Sequence, residues 1–148
     1  MRLAFAALHL LALGIGLGAV WGRARALRGR LDTEGLRRVF AADAWWGLAA
    51  ILWLVTGLAR WLMGTEKASE YYLANPLFHA KLGMFVLIVV LEIWPMMTLI
   101  RWRRRRAQSG NVDTTSAGRL AAISMFQAVI VVAIVVLAAA MARGYGAG

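Results

Sequence analysis

The chain contains no cysteine. That excludes disulfides, c-type haem attachment, iron–sulfur clusters and thiol chemistry in one step. Acid is scarce as well: 7 Asp and Glu stand against 17 Lys and Arg, for a net charge of +10. Histidine occurs twice, at His9 and His79. What the chain has in quantity is apolar surface, with 61% hydrophobic residues and a mean hydropathy of +0.67. A soluble domain of 148 residues cannot hide that much, so the class is integral membrane protein. The basic residues fall between apolar runs, as topology determinants do, which argues against nucleic acid as a partner.

A spanning helix needs roughly 20 apolar residues to cross a core of ~30 Å. Four runs qualify: Leu3–Trp21, Val39–Met63, Pro76–Ile100 and Leu120–Ala142. Their flanks are unequal. Arg23, Arg25, Arg28, Arg30, Arg37 and Arg38 separate the first two, and Arg101, Arg103, Arg104, Arg105, Arg106 and Arg119 the last two. The opposite side carries Arg2, Arg60, Lys67, Lys81 and Arg143, so twelve basic residues face five. By the positive-inside rule both arginine loops are cytoplasmic and both termini periplasmic. The first span lacks a signal-peptide cleavage pattern and reads as a retained helix. Short connections favour an all-α, up-down-up-down four-helix transmembrane bundle forming a single domain over residues 1–148 of a bacterial inner-membrane protein. Gly14, Gly18 and Gly22 make a small-residue ridge where another helix can approach. Asn75 and Pro76 read as the N-cap and first residue of span three. Tyr71 and Tyr72, beside Trp61, read as an interfacial aromatic belt.

Ionisable groups inside a bilayer each ask for a reason. His9 lies about 12 Å along span one from its outer end, and His79 about 5 Å along span three. Arg60 and Lys81 enter the same outer layer. Spans one and three run in the same direction and sit diagonally across the bundle. An imidazole from each, at similar depth, is the arrangement by which bundles hold a haem edge-on. Arg60 and Lys81 are suited to its propionates. Against this, the histidines differ in depth by ~7 Å, and a lone intramembrane histidine also serves as a simple helix-to-helix hydrogen bond. Glu92 sits deeper on the same face of span three as Lys81. Gln127 of span four lies near its depth, giving either a structural hydrogen bond or a proton relay. Asp43 begins span two beside Arg37 and Arg38, where a carboxylate suits the helix dipole.

Two resemblances add to this reading. The stretches "ADAWWGLAAILWLVTGLARW", "YYLANPLFHAKLGMFVL" and "LIRWRRR" resemble a family of predicted bacterial membrane proteins, the domain-of-unknown-function family numbered twenty-two fourteen. More distantly, Ala7-Leu8-His9 and Phe78-His79-Ala80-Lys81-Leu82 resemble motifs of the HemJ-type protoporphyrinogen IX oxidase family. That resemblance implies haem b, weight on His9 and Lys81, and a tetrapyrrole substrate or a membrane redox partner. It departs at Glu92, where that family has a second histidine. The expectations are therefore a haem-b redox protein with His9 and His79 on the iron, Arg60 and Lys81 on the propionates, and Lys81 and Glu92 as catalytic candidates. The alternative is a non-catalytic membrane subunit, or a small transporter-like protein, whose polar residues only join helices. A homo-oligomer is compatible with both.

Overall fold

The computed structural model describes residues 2–63 and 73–146. Among them, four helices are long and apolar enough to cross a membrane: α1 (Arg2–Arg28), α2 (Thr33–Leu62), α3 (Pro76–Ser109) and α4 (Ala117–Ala142). Tyr71, Tyr72 and Lys67 lie outside the described residues, and so does the proposed tyrosine belt.

Local chemistry sets the helix starts. Asp32 caps α2 by accepting from the Gly35 N–H at 2.9 Å, and Asn75 caps α3 by accepting from the Leu77 N–H at 2.9 Å. Pro76 follows Asn75 at the first position of α3, where its missing N–H loses nothing. At the other end Gly110 adopts a left-handed φ of 74°, closing α3 on the Arg106 carbonyl.

The helices outrun the apolar stretches at one end only. α1 continues through Arg28, α2 begins at Thr33, and α3 runs to Ser109. The arginines expected in loops therefore stand on helix extensions, and of those preceding α2 only Arg30 lies in a connection. The α3–α4 connection is correspondingly short, Gly110–Ser116.

α1 packs on α2 and on α4, and α4 on α3, while α2 and α3 make little direct backbone approach. The ring of helices is thus α2–α1–α4–α3, with an open seam between its ends. Each neighbouring pair is antiparallel, and α1 and α3 lie diagonally, as expected of the topology. Two apolar clusters fill the interior. Leu27, Val39, Leu99 and Leu120 centre the one at the arginine-rich end; Val20, Trp46, Ile88 and Ile134 centre the one at mid-span. Large apolar side chains such as Leu11, Ile51, Val90 and Val136 face outward, as a lipid-solvated bundle requires.

The glycine ridge is a correction. A Cβ built on Gly14, Gly18 or Gly22 meets nothing within 4 Å, so among the described residues this ridge packs against no other helix. The close approach is made by Gly16, whose Cβ would lie 3.4 Å from Ala49 Cβ and 3.5 Å from the Trp46 ring. Gly16→Leu should lower stability in detergent by about 1–3 kcal/mol through overpacking. Gly18→Leu should leave the unfolding midpoint unchanged. Equal effects in a thermal or denaturant melt would contradict this packing.

Candidate functional site

Polar side chains gather in two layers. The deeper one separates the two apolar clusters and is centred on Arg23, which is fully buried. Counting about 100° per residue, Arg23 falls within ~20° of Gly16, so it points into the bundle rather than out with Arg25. Its guanidinium has five N–H bonds, and each has an acceptor. Nε donates to Ser124 Oγ at 2.9 Å. One terminal nitrogen donates to Asp43 at 2.8 Å and Glu92 at 2.7 Å. The other donates to Glu92 and to Gln127 Oε1, both at 2.9 Å. All four helices thus meet at one cation.

The acceptors are themselves fixed. Gln127 Nε2 donates to Glu92 Oε2 at 2.8 Å, and the Ser124 hydroxyl donates to the Leu120 carbonyl at 2.9 Å. The second oxygen of Asp43 accepts from Arg103 at 2.8 Å. The Trp46 indole lies against Glu92. With Arg23 and Arg103 positive and Asp43 and Glu92 negative, the layer is neutral, which is what makes its burial tolerable.

Three expectations change here. Arg23 is an interior residue, not a surface topology charge. Asp43 pairs with Arg23 and Arg103 rather than resting beside Arg37 and Arg38, which instead hold Glu34 at 2.6 and 3.3 Å. Glu92 is not an unpaired membrane charge, because Arg23 grips it bidentately. The Glu92–Gln127 contact, by contrast, is found as expected.

The second layer lies at the opposite end of the bundle. His9 faces α2, where Nδ1 sits 2.9 Å from Thr56 Oγ1. The Thr56 hydroxyl has one hydrogen, and the Leu52 and Trp53 carbonyls lie 2.7 and 3.1 Å from its oxygen. With that hydrogen directed at the backbone, Thr56 accepts from His9 Nδ1–H and the imidazole lone pair falls on Nε2. Gly57 makes room for the ring: a Cβ there would be 3.2 Å from His9 Cε1. His9 stacks on Trp53 at 5.7 Å, and Trp53 meets Phe85 of α3 at 5.3 Å. Arg60 lies one turn beyond Thr56 on α2. Trp61, next to it, meets Phe78 of α3 at 6.4 Å, and Lys81 Nζ sits 5.5 Å from the Phe78 ring.

His9, Arg60, His79 and Lys81 therefore share one end of the bundle, as the sequence implied. They are not equivalent. His79 is exposed, and its Nε2 donates to the Leu73 carbonyl at 2.8 Å, which ties it to the chain just before α3. Lys81 is the more inward of the two, on the same stripe as Glu92. Ala138 and Ala139, at this depth on α4, face outward.

Between the layers lies a cavity of about 250 Å³. Ala12 and Gly16, Trp46 and Trp53, and Phe85 and Glu92 contribute to its walls from α1, α2 and α3 respectively. The Trp53 indole N–H is buried without an acceptor. Among the described residues no cluster of three or more His, Asp or Glu could hold a metal ion through side chains alone.

The family described as "Predicted membrane protein (DUF2214)" matches residues 1–146. The chain belongs to that family. No curated protein and no solved structure matches it. A multi-pass membrane protein is what the family description and the four apolar helices together support.

Neither Thr56 nor Trp53 stood out in the sequence, and Arg23 was hidden among surface arginines. The signal that could have found Arg23 is its heptad spacing from Gly16, with two part-buried acids on other spans in need of a cation. Arg23→Met should destabilise the bundle by about 3–5 kcal/mol, since it strands Glu92 and leaves Asp43 with Arg103 alone. Arg25→Met, two residues on and resting on Trp21, should melt with the parent protein. Indistinguishable melts for the two variants would mean that Arg23 holds nothing together.

Proposed function

We propose that the chain is a haem-b-binding redox protein of the bacterial inner membrane, with His9 as iron ligand and the arginine-rich end in the cytoplasm. The observation that carries the reading is the placement of His9, its Nδ1 2.9 Å from Thr56 Oγ1 at the same end of the bundle as Arg60 and Lys81. Iron-ligating histidines commonly donate their second ring N–H to a fixed acceptor, which orients the ring and raises its basicity. Thr56 supplies that acceptor and leaves the lone pair on Nε2. The unmatched Trp53 N–H beside the His9 ring adds a donor for a ligand with acceptor atoms.

Arg60 and Lys81 would hold the propionates, and haem bound there would supply one-electron transfer. His79 enters as second ligand only through Nδ1, because Nε2 holds Leu73. The cavity of about 250 Å³ is smaller than a macrocycle needs, so binding requires the open α2–α3 seam to widen. Of the two residues expected to act on substrate, Lys81 stays in the histidine layer. Glu92 becomes a positioning residue whose charge Arg23 holds. The resemblance of the His9 and Lys81 contexts to HemJ-type motifs supports a haem site more than a shared reaction, and a single site near one face argues against a simple electron carrier across the bilayer.

A second reading has its own observation. The saturated Arg23 layer joins helices by polar contacts alone, as a non-catalytic membrane subunit would.

Absorption spectroscopy separates the two. The purified protein should show a Soret band and sharpened α/β bands on reduction. His9→Ala should lose them while staying in the membrane, and Thr56→Val should keep the haem but shift its potential. Full haem retention in His9→Ala would remove His9 as ligand, and a colourless parent protein reconstituted with haem would leave the subunit reading. The orientation is tested separately, with a reporter fused after Gly148. It should be active only in its periplasmic form, and cytoplasmic activity would invert the topology.

A further inference from the structure

The seam between α2 and α3 changes character along its length. At the arginine-rich end it widens into an open hollow of about 830 Å³ lined by Arg37, Phe40, Ala41, Ala44, Arg103 and Arg106. Phe40 stands at its centre, with the Arg103 guanidinium 5.1 Å and the Arg106 guanidinium 6.0 Å from its ring. Arg103 also donates to the Phe40 carbonyl at 3.0 Å. The facing acids are Glu34, already shared by Arg37 and Arg38, and Asp43, already shared by Arg103 and Arg23. Arg106 makes no ion pair among the described residues. The hollow therefore keeps an excess of positive charge, held in place by an aromatic ring rather than waving freely in water.

Further along, the same two helices line an apolar crevice. Ala50, Ile51 and Leu54 of α2 and Val89, Ile93 and Met96 of α3 line the outer part of the same cavity that Glu92 borders. From Arg103 to Ile93 is about 15 Å at the helical rise, half the thickness of a bilayer core. A cationic hollow thus lies on the same seam as an apolar track, about two helical turns along α3 from Arg103 to Met96, and no helix among the described residues covers either.

We infer that this seam holds one anionic glycerophospholipid. Its phosphate sits among Arg37, Arg103 and Arg106, and one acyl chain runs past Met96 and Ile93. Charge complementarity selects the headgroup, and the crevice selects a lipid over a free phosphate. Arginine suits this role because its planar fork meets phosphate oxygens in pairs. The bound chain would fill the side of the bundle where α2 and α3 meet only through side chains such as Trp53 with Phe85 and Arg103 with Asp43, so the lipid completes the ring.

Native mass spectrometry of the full chain in detergent tests this, with phosphatidylglycerol, phosphatidylcholine and glycerol phosphate as probes. One phosphatidylglycerol should be retained in preference to phosphatidylcholine, and glycerol phosphate should not compete. Arg37→Gln and Arg106→Gln should each weaken retention roughly fivefold, the effect of one basic residue at a membrane surface. Arg104→Gln, which removes the same charge outside the hollow, should change it by less than about twofold. Met96→Trp should fill the crevice and displace the lipid with every arginine intact. Equal loss in Arg104→Gln would reduce the site to a diffuse basic surface. Effective competition by glycerol phosphate would make it an anion site without a lipid, and equal retention of phosphatidylcholine would remove the headgroup selection. Any of these three results overturns the inference.

Discussion

A guanidinium inside a lipid-solvated bundle is the constraint around which this structure is arranged. Arg23 cannot lose its proton and cannot reach water, so every N–H must find an acceptor within the protein. Five donors pointing outward in one plane demand acceptors on several sides. Asp43, Glu92, Ser124 and Gln127 supply them from the three other helices. Burying a single charge would be prohibitive, whereas two cations and two anions in contact form a neutral polar layer. Such a layer is not strongly stabilising relative to an apolar one. What it does is fix register: a helix that slid or rotated would leave a buried charge unmatched.

That requirement divides the bundle into unlike ends. At the arginine-rich end Leu27, Leu36, Val39, Leu99, Trp102 and Leu120 pack tightly, and the helices extend past the apolar runs. At the other end buried residues are sparse, and the notable contacts are polar or aromatic: His9 on Thr56 and Trp53, His79 on Leu73, Asn75 near the Tyr145 carbonyl. A rigid polar girdle thus stands next to a more loosely packed end. The packed helices hold the His9 ring between Thr56 and Trp53, while α2 and α3 make little direct backbone approach.

The class, the four spans and their alternating, up-and-down order were legible because apolar run length and short connections constrain them directly. The α3 start was legible for a local reason, since Asn75-Pro76 is both cap and first-turn residue. The Glu92–Gln127 pairing followed from depth alone, because antiparallel helices of known direction place equal depths together. Arg23 was not legible in the same way. It sits two residues from Arg25 and five from Arg28, and a run of arginines after an apolar stretch reads as a surface. Only its rotation about α1 distinguishes it, and that becomes visible only once Gly16 is known to face α2. The glycine ridge failed for the converse reason: spacing shows that Gly14, Gly18 and Gly22 share a face, but not which face the bundle uses. Thr56 was silent because a hydroxyl in a helix usually bonds its own backbone, and here it does that as well as accepting from His9.

The claim on which the rest stands is that Arg23 and Glu92 are energetically one unit. A double-mutant cycle measures this directly, with Arg23→Met, Glu92→Met and the double variant unfolded reversibly in mixed micelles. A buried bidentate pair predicts a coupling of at least about 2 kcal/mol, with the double variant more stable than either single variant. Additive effects, with no coupling between the two positions, would contradict the account.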